Sequence, residues 1–251
     1  MTAHAAGPPI LSLDGARATI RLNRPTQHNR LEPADLDTLM ALLEELADRP
    51  ALRVLVLTGT GPTFCSGFDL NALGTGAGSV GFDQVVDRLE NFPRPTIAAL
   101  QGSVYGGAVD LALACDFRLG IDGMKLVMPA GRLGIQYYPS GLERAATRLG
   151  LAAAKRLFLL AEPVEAQELL ALGYLDRLVP GDRLTATTDE IATILAGNAP
   201  DALRGMKRTL NAIARGTLDH AAAHAEYRAS TQSAELAEGL KAFAEKRKPS
   251  F

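Results

Sequence analysis

Two glycine-bearing turns in this sequence contain the groups needed to hold an anion or a polarised carbonyl oxygen. They span residues 63–70 and 102–110, and each leads from an apolar run, predicted to be a buried strand, into a predicted helix. The first backbone N–H groups of a helix have no partner inside the helix, so they can donate hydrogen bonds to such an oxygen. If the two turns converge, two N–H groups form an oxyanion hole. Glycines in strand-to-helix turns also serve plain packing, so the turns alone leave the chemistry open.

Alternating strands and helices must position these turns, and this alternation indicates an α/β fold. Asp14-Gly15 separates two short apolar stretches and predicts a β-hairpin, and a helical pattern begins at Pro33. A second helix, rich in small residues, is predicted over residues 107–114. The predicted strands cover residues 10–13, 18–22, 54–57, 96–100, 117–119 and 125–128.

The C-terminal third is predicted to be helical, apart from an extended stretch at residues 174–179. The helical windows are residues 141–149, 151–160, 164–172, 183–196, 201–214, 218–230 and 232–244. We therefore divide the chain into an α/β core (1–195) and a helical region (196–251) that packs on other subunits. Residues 74–81 are too rich in glycine to be held firmly and predict a mobile loop.

Composition narrows the class of protein. The chain has 251 residues, with 26 Lys and Arg against 28 Asp and Glu, and 47% of its residues are hydrophobic. Such a near-neutral balance argues against a nucleic-acid partner. No secretion signal or membrane-length apolar run is evident, so we expect a cytoplasmic protein that is not bound to a membrane. Cys65 and Cys115 are too few for a disulfide framework or a zinc site and are expected to be buried thiols.

Several common motifs are missing or incomplete. A dinucleotide-binding G-x-G-x-x-G that began at Gly59 would need a third glycine where Phe64 stands. The chain has no P-loop, no H-E-x-x-H and no G-x-S-x-G. His220 and His224 are four residues apart but lack further ligands, which favours an ordinary helix face. The sequence predicts no metal and no redox cofactor.

Four segments together resemble the crotonase, or enoyl-CoA hydratase/isomerase, superfamily. They are IRLNRP at residues 20–25 with Asn29, VLVLTG at 54–59 leading to FCSGFDL at 64–70, the segment 95–116, and the tail 243–251. The resemblance implies a spiral of ββα units, a C-terminal helical trimerisation region, and a homotrimer or dimer of trimers. It also implies an acyl-CoA thioester as the substrate, with coenzyme A entering only as part of it.

The resemblance assigns roles to individual residues. The oxyanion donors would be the N–H groups of Phe68 and Gly107, which stabilise an enolate-like intermediate. Asp69 is also expected to cap the helix that follows the first turn. The residues expected to bind coenzyme A are Arg24, Thr26, His28, Ser66, Asp69, Leu70 and Lys246.

The sequence departs from the family at both catalytic glutamates. The first position holds Asp110, one methylene shorter, which lies one helical turn from the predicted donor Gly107 and can act as general acid or base. Alternatively, Asp110 has only a structural role, in which its negative charge interacts favourably with the positive end of the helix dipole. The second position holds Ala130, which has no titratable group. A single carboxylate is therefore expected where the hydratases use two.

Tyr137 is the leading candidate for a second catalytic group. It matches the position of a functional tyrosine in the methylmalonyl-CoA decarboxylase branch, although a tyrosine packed in the interior is equally compatible with the sequence. Glu143 and Arg132 are lesser candidates. Three functions stay open: a hydratase/isomerase-type lyase or isomerase that uses Asp110, an acyl-CoA decarboxylase or hydrolase that uses Tyr137, and an acyl-CoA-binding homologue without catalysis.

Overall fold

A computed structural model describes residues 6–75 and 78–251 and shows two β-sheets flanked by helices. The strands are β1 (Ile10–Asp14), β2 (Arg17–Leu22), β3 (Val54–Gly59), β4 (Thr63–Cys65), β5 (Thr96–Leu100), β6 (Ser103–Tyr105), β7 (Phe117–Ile121), β8 (Lys125–Val127), β9 (Val164–Glu165) and β10 (Arg177–Val179). The helices are α1 (Pro33–Ala47), α2 (Phe82–Glu90), α3 (Gly107–Leu113), α4 (Pro139–Leu149), α5 (Leu151–Lys155), α6 (Ala166–Ala171), α7 (Leu184–Ala196), α8 (Pro200–Ala214), α9 (His220–Ser230) and α10 (Ala234–Ala244).

The larger sheet has the strand order β1-β2-β3-β5-β7-β10. The predicted hairpin is confirmed: β1 and β2 pair antiparallel, and Asp14 faces Arg17 across the turn. The remaining pairs are parallel. Every residue of β3 is buried, as its unbroken apolar run predicts.

The smaller sheet has the order β4-β6-β8-β9 and lies just beyond the carboxyl ends of two strands of the larger one. The chain passes from β3 into β4 and from β5 into β6. Because β4 and β6 pair in parallel, with Thr63 opposite Ser103, they carry both glycine turns to the same place. The α/β prediction is thereby confirmed, and the sheet explains how distant turns meet.

The helical prediction holds for most of the C-terminal third. The window 151–160 is split, since α5 gives way to a π-helix at Arg156–Leu160. The window 164–172 is wrong at its start, because Val164 pairs with Leu126 on the edge of the smaller sheet. This pairing is tertiary, and local periodicity carries no signal of it.

Two further sequence expectations concern membrane-spanning helices and the glycine-rich loop. Among residues 6–75 and 78–251, no helix is long and apolar enough to cross a membrane. The expected mobile loop at residues 74–81 is only partly described, since residues 76 and 77 lie outside the described ranges. Within its described part, the Ser79 side chain donates a hydrogen bond to Asp37 at 2.7 Å, which ties this stretch to α1.

Candidate active site

The two glycine turns converge, as the sequence requires for an oxyanion hole. Gly67 has a φ of +94°, which L-residues with a side chain rarely adopt. A β-carbon on Gly67 would lie 2.9 Å from the carbonyl oxygen of Tyr105 and 3.0 Å from the backbone nitrogen of Gly107. The first turn therefore packs directly against the second, and only glycine fits there.

The N–H groups of Phe68 and Gly107 are left unengaged by this packing. Leu31 pairs with the first turn by donating to Gly67 O and accepting from Asp69 N, both at 2.9 Å, so Phe68 N takes no part. Gly107 is the first residue of α3, where the N–H has no partner inside the helix. Within the described ranges, neither N–H has a hydrogen-bond acceptor.

The Phe82 ring lies against both turns. A β-carbon on Gly107 would sit 2.7 Å from the end of this ring, and the ring centroids of Phe82 and Phe68 are 6.2 Å apart. Phe82 begins α2, directly after the glycine-rich segment. An apolar wall thus stands beside the two free N–H groups.

Asp110 lies on α3 one turn after Gly107 and is only 1% exposed. Arg144 Nη1 donates to both carboxylate oxygens, at 2.7 Å each. The Tyr138 hydroxyl donates to Oδ2 of the same carboxylate. Both oxygens of Asp110 are therefore held by neighbouring side chains.

Arg144 also joins Asp110 to further charges. Its Nη2 donates to Asp87 Oδ1 at 2.5 Å and to Glu90 Oε2 at 3.2 Å. Glu90 accepts additional hydrogen bonds from Arg148, at 3.2 Å, and from Arg215. Three carboxylates thus face three guanidinium groups, so the buried charges are balanced.

Burial and pairing pull the pKa values of these groups in different directions. Burial raises the pKa of the Asp110 carboxyl, although Arg144 and the Tyr138 hydroxyl oppose this shift. Burial and the neighbouring Asp110 charge raise the pKa of Tyr138, so the phenol keeps its proton. Burial would also raise the pKa of Glu90, but Arg144, Arg148 and Arg215 outweigh it and hold that pKa below its ordinary value.

Tyr137 does not contact Asp110 directly. Its ring stacks on Tyr138 with the centroids 4.4 Å apart, and its hydroxyl lies 3.5 Å from the Tyr138 hydroxyl, at the long limit of a hydrogen bond. Glu143 and Arg132, the lesser candidates, are exposed, and Ala130 is buried. The hydroxyl next to the carboxylate is thus that of Tyr138.

The two segments expected to hold coenzyme A contact each other, and Asn29 joins them. Ser66 N donates to His28 O at 2.9 Å. The buried Asn29 amide lies 2.8 Å from the carbonyl oxygens of both Thr60 and Thr63, and its oxygen accepts from Arg24 N at 2.9 Å. These contacts bring together, as expected, the stretches that contain Arg24, Thr26, His28, Ser66, Asp69 and Leu70.

Among these candidates, the side chains of Arg24 and Asp69 have partners within the chain, whereas Lys246 is exposed. The Arg24 guanidinium already pairs with Asp35, at 2.8 Å, and with Glu32, at 3.1 Å. Asp69 accepts a hydrogen bond from Asn71 N at 3.1 Å, which confirms its expected capping role on a short 3₁₀ turn. Lys246 follows α10 and is exposed. Coenzyme A binding by all seven candidates stays a prediction.

Comparison with known proteins identifies the family. The family model described as enoyl-CoA hydratase/isomerase matches residues 14–251. This chain belongs to the enoyl-CoA hydratase/isomerase family. A putative enoyl-CoA hydratase of Thermus thermophilus is 34% identical, across 94% of this chain and 98% of that protein. A methylmalonyl-CoA decarboxylase of Escherichia coli is 29% identical, across 93% of this chain and 94% of that protein.

The fold agrees with this membership. The crystal structure of an enoyl-CoA hydratase from Bacillus anthracis matches with a TM-score of 0.89 and 30% identity, over 98% of this chain and 99% of that one. The crotonase resemblance and the crotonase-like α/β fold predicted from the sequence are both confirmed.

Sequence reasoning missed the partners of Asp110. Arg144 and Glu90 lie 34 residues after it and 20 residues before it in the numbering, on α4 and α2. The sequence did not single out Tyr138, because two adjacent tyrosines cannot be told apart without knowing which ring faces the carboxylate.

Proposed function

We propose that this protein acts on acyl-CoA thioesters as a hydratase/isomerase-type lyase or isomerase, forming an enolate in the oxyanion hole of Phe68 and Gly107. The observation that carries this proposal is the convergence of the two turns, in which the N–H groups of Phe68 and Gly107 are unengaged. Such donors polarise a thioester carbonyl and stabilise the negative charge that develops on its oxygen. Removal of one such donor from an oxyanion hole costs roughly 3–4 kcal/mol of transition-state stabilisation.

Asp110 is the proposed proton-transfer carboxylate of this site. It is one helical turn from Gly107, and the second family glutamate is replaced by Ala130. One carboxylate can remove and return a proton at the carbon next to the thioester. A single proton-transfer group suits reactions that pass through the enolate.

Hydration of crotonyl-CoA, followed by the loss of its conjugated absorbance, tests both parts of the proposal. We expect turnover by the wild type and a loss of about 10²–10⁴-fold in Asp110→Asn and Asp110→Ala, the range for removal of a general acid or base. Binding of crotonyl-CoA should persist in both variants. Asp110→Glu, which restores the family residue, serves as the conservative comparison. Binding without turnover by the wild type, across isomerase and hydratase substrates, would instead support an acyl-CoA-binding homologue.

Decarboxylation or hydrolysis is the second candidate function. Tyr137 supports it, because its hydroxyl lies within 3.5 Å of the Tyr138 hydroxyl, beside the carboxylate, and because the Escherichia coli relative carries a decarboxylase name. We expect Tyr137→Phe to abolish turnover of a malonyl-type thioester if this function is correct. Unchanged turnover in that variant would remove Tyr137 from the mechanism.

We further propose that residues 196–251 join the subunits into a homotrimer or a dimer of trimers. Large apolar side chains of α8–α10 are exposed in the single chain, which is unusual for a monomer surface. They are Met206, Leu210, Ile213, Tyr227, Leu236, Leu240 and Phe243. Light scattering on the purified protein tests this: a mass of one chain, 26.5 kDa, would contradict it.

A further inference from the structure

The carboxylate of Asp110 is shut off from the space beside the glycine turns. It is 1% exposed, and its two oxygens accept three hydrogen bonds, two from Arg144 and one from Tyr138. Because the carboxylate is buried among these partners, it reaches a substrate carbon only if a neighbouring side chain moves and a hydrogen bond is disturbed. Breaking a charge-assisted bond inside a buried site is costly.

Tyr138 contacts both this carboxylate and the Phe82 ring, which lies against the turns. Its ring meets the Phe82 ring edge-on, with centroids 6.2 Å apart and an interplanar angle of 65°. Phe82 in turn contacts Gly107, one of the two residues with a free N–H. Tyr138 as a whole residue is partly exposed, whereas Asp110 is 1% exposed.

Gly141 lets Tyr138 come this close to Asp110. A β-carbon on Gly141 would lie 2.5 Å from the Tyr137 ring, 2.7 Å from Asp110 Oδ2 and 2.9 Å from the Tyr138 ring. The third residue of α4 is thus kept small at the point where the phenol and the carboxylate meet. Helix α4 also carries Arg144, which fixes the carboxylate from the other side.

We propose that the Tyr138 hydroxyl is the group that exchanges a proton with the substrate carbon next to the thioester, and that Asp110 acts through it. This inference rests on the proposed function. Tyr138 would be the catalytic residue, with Asp110 as its proton acceptor and Arg144 as a positioning residue.

The proton balance closes within these groups. The C–H bond breaks, the proton passes to the Tyr138 oxygen, and the phenolic proton passes to Asp110 Oδ2. The electron pair of the C–H bond becomes the enolate, whose charge lies on the oxygen held by the N–H groups of Phe68 and Gly107. One negative charge has moved from Asp110 to the substrate. The reverse sequence returns a proton to the carbon without a further reactant, and deuterium enters when a proton on Tyr138 or Asp110 exchanges with D₂O before that return.

Hydrogen exchange at this carbon tests the relay. Butyryl-CoA is incubated with each enzyme in D₂O, and deuterium uptake is measured by mass spectrometry alongside the dissociation constant for butyryl-CoA. We expect Tyr138→Phe to slow uptake by about 10²–10⁴-fold with binding unchanged. Tyr174→Phe is the matched control, because that buried phenol donates to Val109 O of the same helix at 2.9 Å without contacting Asp110. Its uptake should match the wild type.

A double-mutant cycle shows whether Asp110 works through Tyr138. We expect Asp110→Asn to slow uptake strongly in the wild type but to add almost nothing to Tyr138→Phe, because the relay is already broken. Additive losses would mean that the two groups act separately and would overturn the relay. Deuterium uptake by Tyr138→Phe at close to the wild-type rate would overturn the relay as well. So would a loss of uptake in Tyr137→Phe while Tyr138→Phe retains it.

These outcomes separate the relay from the function on which it rests. If the wild type binds butyryl-CoA and exchanges its hydrogens while Tyr138→Phe does so equally well, the relay fails and the proposed function survives. If the wild type neither binds nor exchanges the thioester, both fail. Circular dichroism and melting temperature identify any variant that has lost its fold.

Discussion

The candidate site has two parts that are built in opposite ways, and Phe82 touches both. The glycine turns, Gly67-Phe68 and Gly106-Gly107, offer only backbone N–H groups, fixed by strand pairing. The Asp110 cluster, by contrast, consists of charged and hydroxyl side chains from α2, α3, α4 with the preceding Tyr138, and the end of α8. Backbone donors need no charge to be buried, whereas the cluster holds several buried charges in balance.

The two parts are therefore sensitive to different kinds of substitution. The turns depend on space, so an added methyl group should harm them more than any change of charge. The cluster depends on complete pairing, because removing one partner leaves the others buried without compensation. Substitutions in each part test this distinction.

Arg144→Met should give the largest loss of stability, about 3–5 kcal/mol in the free energy of unfolding. The substitution keeps most of the side-chain volume but leaves Asp110, Asp87 and Glu90 without their shared cation. Urea unfolding of both proteins at one concentration measures the loss. Arg132→Met, at an exposed arginine, should change the free energy by less than about 0.5 kcal/mol. A loss below about 1 kcal/mol in Arg144→Met would mean that the cluster does not need this cation.

Gly67→Ala should cost about 2–4 kcal/mol, because it combines a disfavoured backbone conformation with a clash. Its new β-carbon would press on Tyr105 O and Gly107 N, so turnover should fall as well. Gly123→Ala is the matched control: it has a φ of +79° but nothing within 4 Å of the added carbon. The control should lose only about 1–2 kcal/mol and keep its activity. Equal losses in both variants would show that the contact between the turns contributes nothing.

How well the sequence predicted each part follows from the same contrast. Glycines, strand runs and helix starts are local signals, so the turns and most elements around them could be placed. Asp110 was found through the family resemblance, at the position of the first glutamate, one helical turn after Gly107. Arg144 and Glu90 reach Asp110 only through the packing of α2 and α4 on α3, which no local pattern encodes. The same holds for Val164, whose strand depends on a partner in β8.

Gly141→Ala should have a moderate effect, with turnover reduced about tenfold and a stability loss of about 1–3 kcal/mol. The added carbon would press on the Tyr137 ring, on Asp110 Oδ2 and on the Tyr138 ring, and would so disturb the contact between Tyr138 and Asp110 that the relay requires. Gly205→Ala, in α8, meets nothing within 4 Å and should be neutral or stabilising, since alanine favours helices. Initial rates and melting curves of both variants provide the comparison. Wild-type turnover in Gly141→Ala would show that the phenol tolerates displacement.

The smallest expected effect is a change in how stability depends on pH. The arginines around Glu90 hold its pKa below the ordinary 4.5 in spite of burial. The folded state therefore gives up this proton more readily than the unfolded chain. The resulting stabilisation is complete above pH 4.5 and is lost as the pH falls through the lower folded pKa. Asp110, whose pKa burial raises, contributes with the opposite sign.

Glu90→Gln isolates the contribution of this one carboxylate. At neutral pH the variant should unfold at lower urea than the wild type, because three arginines lose a charged partner. Below pH 4.5 the gap should narrow as the pH falls through the lowered pKa of Glu90, since a protonated glutamate resembles glutamine. Glu45→Gln, at an exposed side chain, should show no such narrowing. A gap that stays constant with pH would mean that the pairing of Glu90 is steric rather than electrostatic, and the contrast between the cluster and the turns would then disappear.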